Sequence, residues 1–352
     1  MPTIDASTLK DFGTALFAAA GVGADDAEQV SGSLVAANLR GMDSHGVMRI
    51  PYYIAAVKEG RLHPGAELKV VSETPALLVC DAGWGFGQLQ ARRLVHRLVP
   101  KAQALGVACG AMQRSGHIGR VGEYAELAAG AGLATIAMVN GHGATPRVAP
   151  PGGKRPRLAT NPLCVGVPTD GDPVILDFGT SATAEGKVRV KWIAGQQCPP
   201  GWVLDADGNS STDPGVLYRD PPGSIRPMGG DQAYKGFGLA LVIDMLAAGL
   251  SGGWGTRPNP DPQLGNDVVF ILLNPVLFAG REHFLREVTS VATHVRSCPT
   301  AESVGEILLP GDPERRTLAD RSRNGIPLDD GNWKQLVELA GKLGVTVPLA
   351  SG

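Results

Sequence analysis

Cysteine is scarce: five thiols in 352 residues, at positions 80, 109, 164, 198 and 298. The number is odd and no CxxC pair occurs, which argues against a disulfide framework and against a structural zinc site. Reduced thiols fit a cytoplasmic setting. An excess of either charge is missing too, because 32 Lys and Arg face 34 Asp and Glu, leaving a formal net charge of −2. That balance gives no electrostatic basis for binding nucleic acid or an anionic membrane. No run of about 18 apolar residues is present, so no membrane span is expected. The start MPTIDASTLKDFG has no cationic stretch followed by an apolar run, so it does not read as a signal peptide. Two nucleotide signatures are also missing, strand–GxGxxG–helix and GxxxxGK[ST]. GWGFGQ and GHGATP are rich in glycine but have the wrong spacing, which disfavours a Rossmann domain or a P-loop.

What is abundant is glycine, 48 residues without a period, which excludes collagen and solenoid repeats. Residues 7 to 60 read as helical, with Ser7 capping a first helix that carries Leu9, Phe12, Leu16 and Phe17. Asp25 and Glu28 resemble a capping box for a second helix ending near Gly41, and Pro51 suits the first turn of a third that ends at Gly60. From about residue 66 to 314, β-rich segments (LKVVS, ALLVCDA, ATIAMVN, PVILDF) alternate with helical ones, which is an α/β region. Within it, 195–230 is rich in loops. GFGLALVIDMLAAGLSG is apolar almost all round and reads as a buried helix. The tail 315–352 is helical again and is expected to pack with the helical segment 1–65.

Polar chemistry concentrates in a few short stretches. RGMDSHGVMRIPYY places Ser44 and His45 in a turn, with Arg49 four residues on and Tyr52 beyond it. An imidazole titrating near neutrality beside a planar guanidinium fork suits a 2-oxo acid, whose carboxylate the arginine grips while the histidine handles a proton. The same residues would also serve a plain capped helix start. SGHIGRVGEY adds His117 in a glycine-rich βα turn, where a helix N-terminus favours an anion. VNGHGATPRVAPPGG adds Asn140 and His142; with His45 and His117 this makes three histidines, but not at the spacing of a compact metal site. Lys235 in AYKGFGLAL stands at the start of the apolar helix, where a cation opposes the helix dipole unless an anion joins it. LDFGTSATAEGK supplies Asp177, Thr180 and Ser181 in a turn suited to a ribose or pyrophosphate.

In this order and spacing, RGMDSHGVMRIPYY, SGHIGRVGEYAELAA, VAPPGG, TNPLCVGVPT, LDFGTSATAEGK, PPGWVLDADGN, YKGFGLAL and LLPGDPE resemble the second malate/L-lactate dehydrogenase family. The stretch NGHG and the run HIGRVGEYAE are most similar to its hydroxycarboxylate dehydrogenase subgroup. The resemblance implies an NAD(P)-dependent oxidoreductase on a non-Rossmann fold, an α+β arrangement with a mixed, largely antiparallel sheet. It also implies a homodimer with its active sites near the subunit interface. Carried over by matching positions, His45 and His117 are the acid–base candidates, Ser44 their neighbour, Arg49 the carboxylate clamp and Tyr52 a further contact. Asn140, Thr160, Asn161, Asp177, Gly179, Thr180, Ser181, Lys235, Gly236, Pro310, Gly311 and Asp312 match cofactor-lining positions. Three departures, Asp312 for the usual glutamate, Ala233 for glycine and Gly179 for alanine, leave NAD against NADP open.

The expected activity is therefore hydride transfer between NAD or NADP and a small 2-hydroxy or 2-oxo acid, with no metal. Reduction of a cyclic 2-imino acid on the same scaffold is one alternative. A non-redox, metal-dependent enzyme or a ligand-binding relative is the other.

Overall fold

The computed structural model describes residues 1–143, 146–258 and 263–349. A two-residue strand, β1 (Thr3–Ile4), leads into helices α1 (Ala6–Ala19), α2 (Ala24–Leu39) and α3 (Ile50–Lys58). Asp5, not Ser7, caps α1; its carboxylate accepts the Ser7 and Thr8 backbone N–H groups, so the extra residue of reach comes from the acid. The capping box expected at Asp25 and Glu28 is also corrected. Gly23 precedes α2 without a side-chain cap, and Glu28 reaches across to Lys10 at 2.6 Å. Pro51 does sit in the first turn of α3, and Gly60 follows the helix with φ +68°.

The centre is built from β2 (Lys69–Glu73), β3 (Leu77–Asp81), α4 (Gly87–Leu105), β4 (Val107–Ser115), α5 (Gly122–Gly130), β5 (Ala134–His142), β6 (Pro162–Val167), β7 (Val174–Gly179) and α6 (Glu185–Ile193). Three short strands follow, β8 (Val203–Leu204), β9 (Ser210–Ser211) and β10 (Ser224–Ile225), then α7 (Tyr234–Ser251) and β11 (Gly265–Leu273). The chain closes with α8 (Arg281–Arg296), α9 (Asp312–Asn324), β12 (Ile326–Pro327) and α10 (Asp330–Leu343).

The main sheet has seven strands in the order β2-β3-β4-β11-β5-β6-β7. Only β3 and β4 pair in parallel; the other five pairings are antiparallel. The sheet is thus mixed and largely antiparallel, as the family resemblance implies. Strands β3, β4, β5 and β7 run one way, β2, β6 and β11 the other. One end of the sheet therefore collects the last residues of four strands and the first residues of three. Gly265 pairs with His142, Asn266 with Ser115 and Pro162 with Gly179. Segments far apart in sequence meet there because strand direction forces them to.

Helices α4 and α5 cover one face, sealing a core with Leu94, Leu98, Tyr124, Val268 and Phe270. A second core joins the chain ends: Phe12 meets Trp333 at 5.9 Å between ring centroids, and Leu9, Leu16, Leu336 and Ile326 are buried together. Each such side chain contributes about 1.5–3 kcal/mol when fully removed from water. Helix α7 lies on the other face through Ala240, Ile243 and Ala247. It departs from the sequence expectation of a fully buried helix. Val242, Met245 and Leu250 are 51%, 62% and 53% exposed, because one side rests on the sheet and the other faces outward from the single chain. By length and composition α7 is apolar enough to cross a membrane. It nevertheless carries Asp244, whose carboxylate accepts the Thr256 N–H and hydroxyl at 2.9 and 3.0 Å.

Candidate active site

Asp43–His45 and Val47–Arg49 form two successive single turns of 3-10 helix between α2 and α3. Asn38, on the last turn of α2, holds both. Its amide donates to the Asp43 carboxylate at 2.6 Å and its carbonyl accepts the Val47 N–H at 2.8 Å. Arg321 of α9 clamps Asp43 from outside at 2.6 and 3.1 Å. Gly46 is required between the turns by space alone, since a Cβ there would lie 2.1 Å from the Asn38 Oδ1. This scaffold presents Ser44, His45 and Arg49. The Ser44 hydroxyl lies 2.9 Å from His45 Nδ1, and Arg49 Nε donates to the Ser44 carbonyl at 2.7 Å. The two terminal nitrogens of Arg49 have no hydrogen bond or ion pair among the described residues.

His117 arrives from the turn after β4 and stacks on His45, with ring centroids 5.5 Å apart and planes 20° off parallel. Burial holds the His45 imidazole down to about 4, and the Arg49 and Arg120 guanidiniums push the same way. His117 is lowered well below the ordinary value by burial first, then by Arg49 and His45. Both rings are therefore neutral at pH 7, and the Nε2 atom of each carries no hydrogen bond among the described residues. His117 Nδ1 is 2.7 Å from the Tyr53 hydroxyl, which accepts a bond of 2.9 Å from the Gln88 amide. Tyr52 is 41% exposed and lies beside Arg61, whose guanidinium carbon is 5.9 Å from the ring centre. Sequence reasoning missed Tyr53. The signal was present: Ile50, Tyr53 and Ile54 form the buried stripe of α3, and Tyr52 lies off it.

The predicted cofactor-lining positions gather along the same end of the sheet and beside β7. Gly186, at the start of α6, comes so close to Ser44 that an added Cβ would sit 3.2 Å from the Ser44 Cβ. Thr180 donates its N–H and hydroxyl to the Thr160 carbonyl at 2.9 and 3.1 Å, and Ser181 Oγ donates to the Thr183 carbonyl at 2.8 Å. Asn161, with φ +20°, donates its amide to the Ala240 carbonyl; its Oδ1 is buried without a partner among the described residues, as is the Thr183 hydroxyl. Two orphaned polar atoms at the sheet end fit a polar ligand. Gly179 abuts the Thr160 carbonyl, and Gly236 packs under the Met228 carbonyl, where a Cβ would stand 2.4 Å away. Lys235 is exposed beside the Tyr234 ring, without an ion pair among the described residues.

Asp177 and Gly311 meet on a cavity of about 270 Å³ walled by Arg40, Arg120, Glu126 and Arg315. Burial raises the Asp177 carboxyl, although the Gly122 N–H donates to it at 2.7 Å. The Pro310 carbonyl accepts from Ile175 at 3.2 Å. Asp312 turns to its own loop instead: the Leu309 N–H at 2.8 Å and the Arg315 and Arg296 guanidiniums hold it, and its carboxyl falls to about 2 despite the opposing effect of partial burial. Asn140 has both ends of its amide bound, to the Trp254 carbonyl and the Asp267 N–H. His142 does not join the other two histidines; it is buried against Asp267 at 3.0 Å. Among the described residues no group of three or more His, Cys, Asp or Glu side chains is placed to hold a metal ion.

A mixed seven-stranded sheet without a glycine-rich dinucleotide loop, with stacked imidazoles and an open guanidinium at one end, defines a non-Rossmann α/β protein equipped for a small acid. The sequence model of the malate/L-lactate dehydrogenases matches residues 4–337, and the chain belongs to that family. It is 38% identical over 347 residues to hydroxycarboxylate dehydrogenase B of Escherichia coli K12, covering 97% of this chain and 94% of that one. The solved structure of sulfolactate dehydrogenase from Methanocaldococcus jannaschii superposes with a TM-score of 0.85 at 33% identity, covering 97% and 98% of the two chains. That of Δ1-piperideine-2-carboxylate reductase from Pseudomonas syringae gives 0.84 at 29%, covering 97% and 100%. Membership makes the protein an oxidoreductase of the 2-hydroxy acid class.

Proposed function

We propose that the chain interconverts a small 2-hydroxy acid and its 2-oxo acid with NAD or NADP as cofactor. One observation carries the reading: two stacked imidazoles beside a guanidinium with both terminal nitrogens free. The Asn161 and Thr183 atoms left without partners among the described residues support a dinucleotide site, for which Thr180, Ser181 and Lys235 are the candidate lining. When bound, the nicotinamide supplies the hydride chemistry at C2. Arg49 holds the substrate carboxylate bidentately and so fixes C2. The imidazoles face the C2 oxygen, donating hydrogen bonds to it and exchanging its proton.

The exposed apolar face of α7 supports a homodimer as the working form; the thiols suit a cytoplasmic setting. The test is nicotinamide absorbance followed with NADH and NADPH over a panel of 2-oxo acids. His45→Ala and His117→Ala should each cost about 100-fold or more in kcat. Full activity in both variants rejects the site. A cyclic 2-imino acid is the second reading, supported by likeness to the P. syringae reductase. Including cyclic imines in the panel separates the two.

A further inference from the structure

The two histidines do not have equivalent surroundings, and the difference assigns them different tasks. His117 Nδ1 faces two groups. One is the Tyr53 hydroxyl at 2.7 Å; the other is the backbone N–H of Gly119 at 3.3 Å. A hydroxyl can turn round, and a glutamine amide can be assigned either way. A peptide N–H cannot reverse. Gly119 therefore fixes Nδ1 as an acceptor, and its positive φ of 72° sets the turn that aims this N–H. Tyr53 then has one consistent arrangement. It accepts from Gln88 Nε2 at 2.9 Å and donates its only proton to His117. The chain of bonds stops at Gln88, which is buried and whose Oε1 has no partner among the described residues, so no proton passes to solvent by this route. Tyr53 itself does not ionise near neutrality; burial pushes its phenol up to about 12.

We infer that Tyr53, with the Gly119 N–H, locks His117 as a neutral imidazole bearing its proton on Nε2, so that His117 polarises the substrate oxygen while His45 carries the transferred proton. The inference rests on the function proposed above and divides its acid–base work. An imidazolium at His117 would need a proton on Nδ1, against two donors. His45 is not so constrained. Its Nδ1 meets the Ser44 hydroxyl at 2.9 Å, which donates to a neutral ring and accepts from a charged one. In the reductive direction the C2 oxygen gains the proton lost by the His45 imidazolium, which ends neutral; His117 neither gains nor loses one. The charged and titratable groups facing this pair are Arg49, Arg120 and Tyr53. A substrate carboxylate on Arg49 removes the nearer repulsion, so His45 accepts a proton more readily once substrate is bound.

Tyr53 is a positioning residue on this view, and its test needs a readout that packing alone does not move. The apoenzyme labelled with 15N-histidine, its His117 signals assigned by loss in His117→Gln, reports the tautomer by long-range 1H–15N correlation. The expected result is an unprotonated Nδ1, a protonated Nε2 and no titration of His117 between pH 8 and pH 5. A protonated Nδ1 in the wild type overturns the inference whatever the activity. Tyr53→Phe keeps the ring and should shift the Nδ1 resonance and lower kcat by about 10- to 100-fold with little change in KM. An unchanged resonance and kcat in a folded Tyr53→Phe protein also overturn it. His45→Gln should erase the pH dependence of kcat/KM, whereas His117→Gln should lower the rate and keep the profile; the reverse pattern rejects the division of labour. If the wild type turns over no 2-oxo acid and no cyclic imine, the proposed function fails, while the tautomer measurement still stands or falls by itself.

Discussion

Arg49 owes its reactivity to what it does not touch. Its Nε is anchored on the Ser44 carbonyl, and its terminal nitrogens remain open beside two imidazoles. Lysine in its place keeps the charge and loses the planar fork, so Arg49→Lys should lower kcat/KM for a 2-oxo acid by about 10- to 100-fold, mainly through KM. An unchanged KM would remove the carboxylate clamp. His45 allows a second prediction, on stability. Its folded pKa, about 4, lies below the ordinary histidine value of 6.5. Between those values the unfolded chain binds a proton that the folded chain refuses, so stability falls as the pH drops from about 6.5 toward 4. Asp312, lowered to about 2, acts in a separate window below the ordinary carboxyl value of 3.8, where stability is lost as the pH falls further. Thermal melts across pH 7 to 4.5 should show a slope that flattens in His45→Gln; parallel slopes would refute the assignment.

Elements determine whether those side chains meet. Asp43, Ser44 and His45 all keep partial exposure to solvent, so packing alone does not hold the turn that carries them. Asn38 and Arg321 do, through Asp43. Gly46→Ala should displace the Asn38 amide and cost about 1–3 kcal/mol, read as a lower melting temperature with loss of activity. A neutral effect would mean that the Asn38 bridge is dispensable. At the start of α1, Asp5→Ala should lower the melting temperature slightly and leave activity intact. The same elements show how far the sequence could be read. Alternating apolar residues gave the strands, and Pro51 and Gly60 gave the bounds of α3, because those signals are local. The caps at Ser7 and Glu28 are not legible, because several polar residues compete for one helix start and only the folded geometry chooses. Tyr53 was passed over for Tyr52, because adjacent phenols look alike until the buried side of α3 is known. Asn38, Gln88 and Arg120 were invisible: they act across 5, 35 and 6 residues on partners that no spacing rule names.

Across the whole molecule, strand direction does the assembling. Four strands end and three begin at one end of the sheet, which draws His117, Asn140, Thr160 and Gly179 into one neighbourhood although about sixty residues separate the first from the last. The opposite problem arises on the sheet's second face. Periodicity marked α7 as apolar all round, and an all-round apolar helix has to be covered on every side. The single chain covers only part of it, leaving Val242, Met245 and Leu250 in the open, with Phe278 exposed elsewhere on the surface. An apolar area of this kind is unfavourable in water, and a second copy of the chain meeting it through a two-fold axis would remove it from solvent on both subunits. Light scattering on the purified protein should therefore give about twice the monomer mass of 36.5 kDa. Met245→Asp places a charge at the centre of the face and should shift the mass toward the monomer, with the fold retained by circular dichroism. If the pairing also completes the active site, activity should fall with the dimer and recover at high protein concentration. A wild-type monomer with full activity would reject the pairing and leave α7 in need of another explanation.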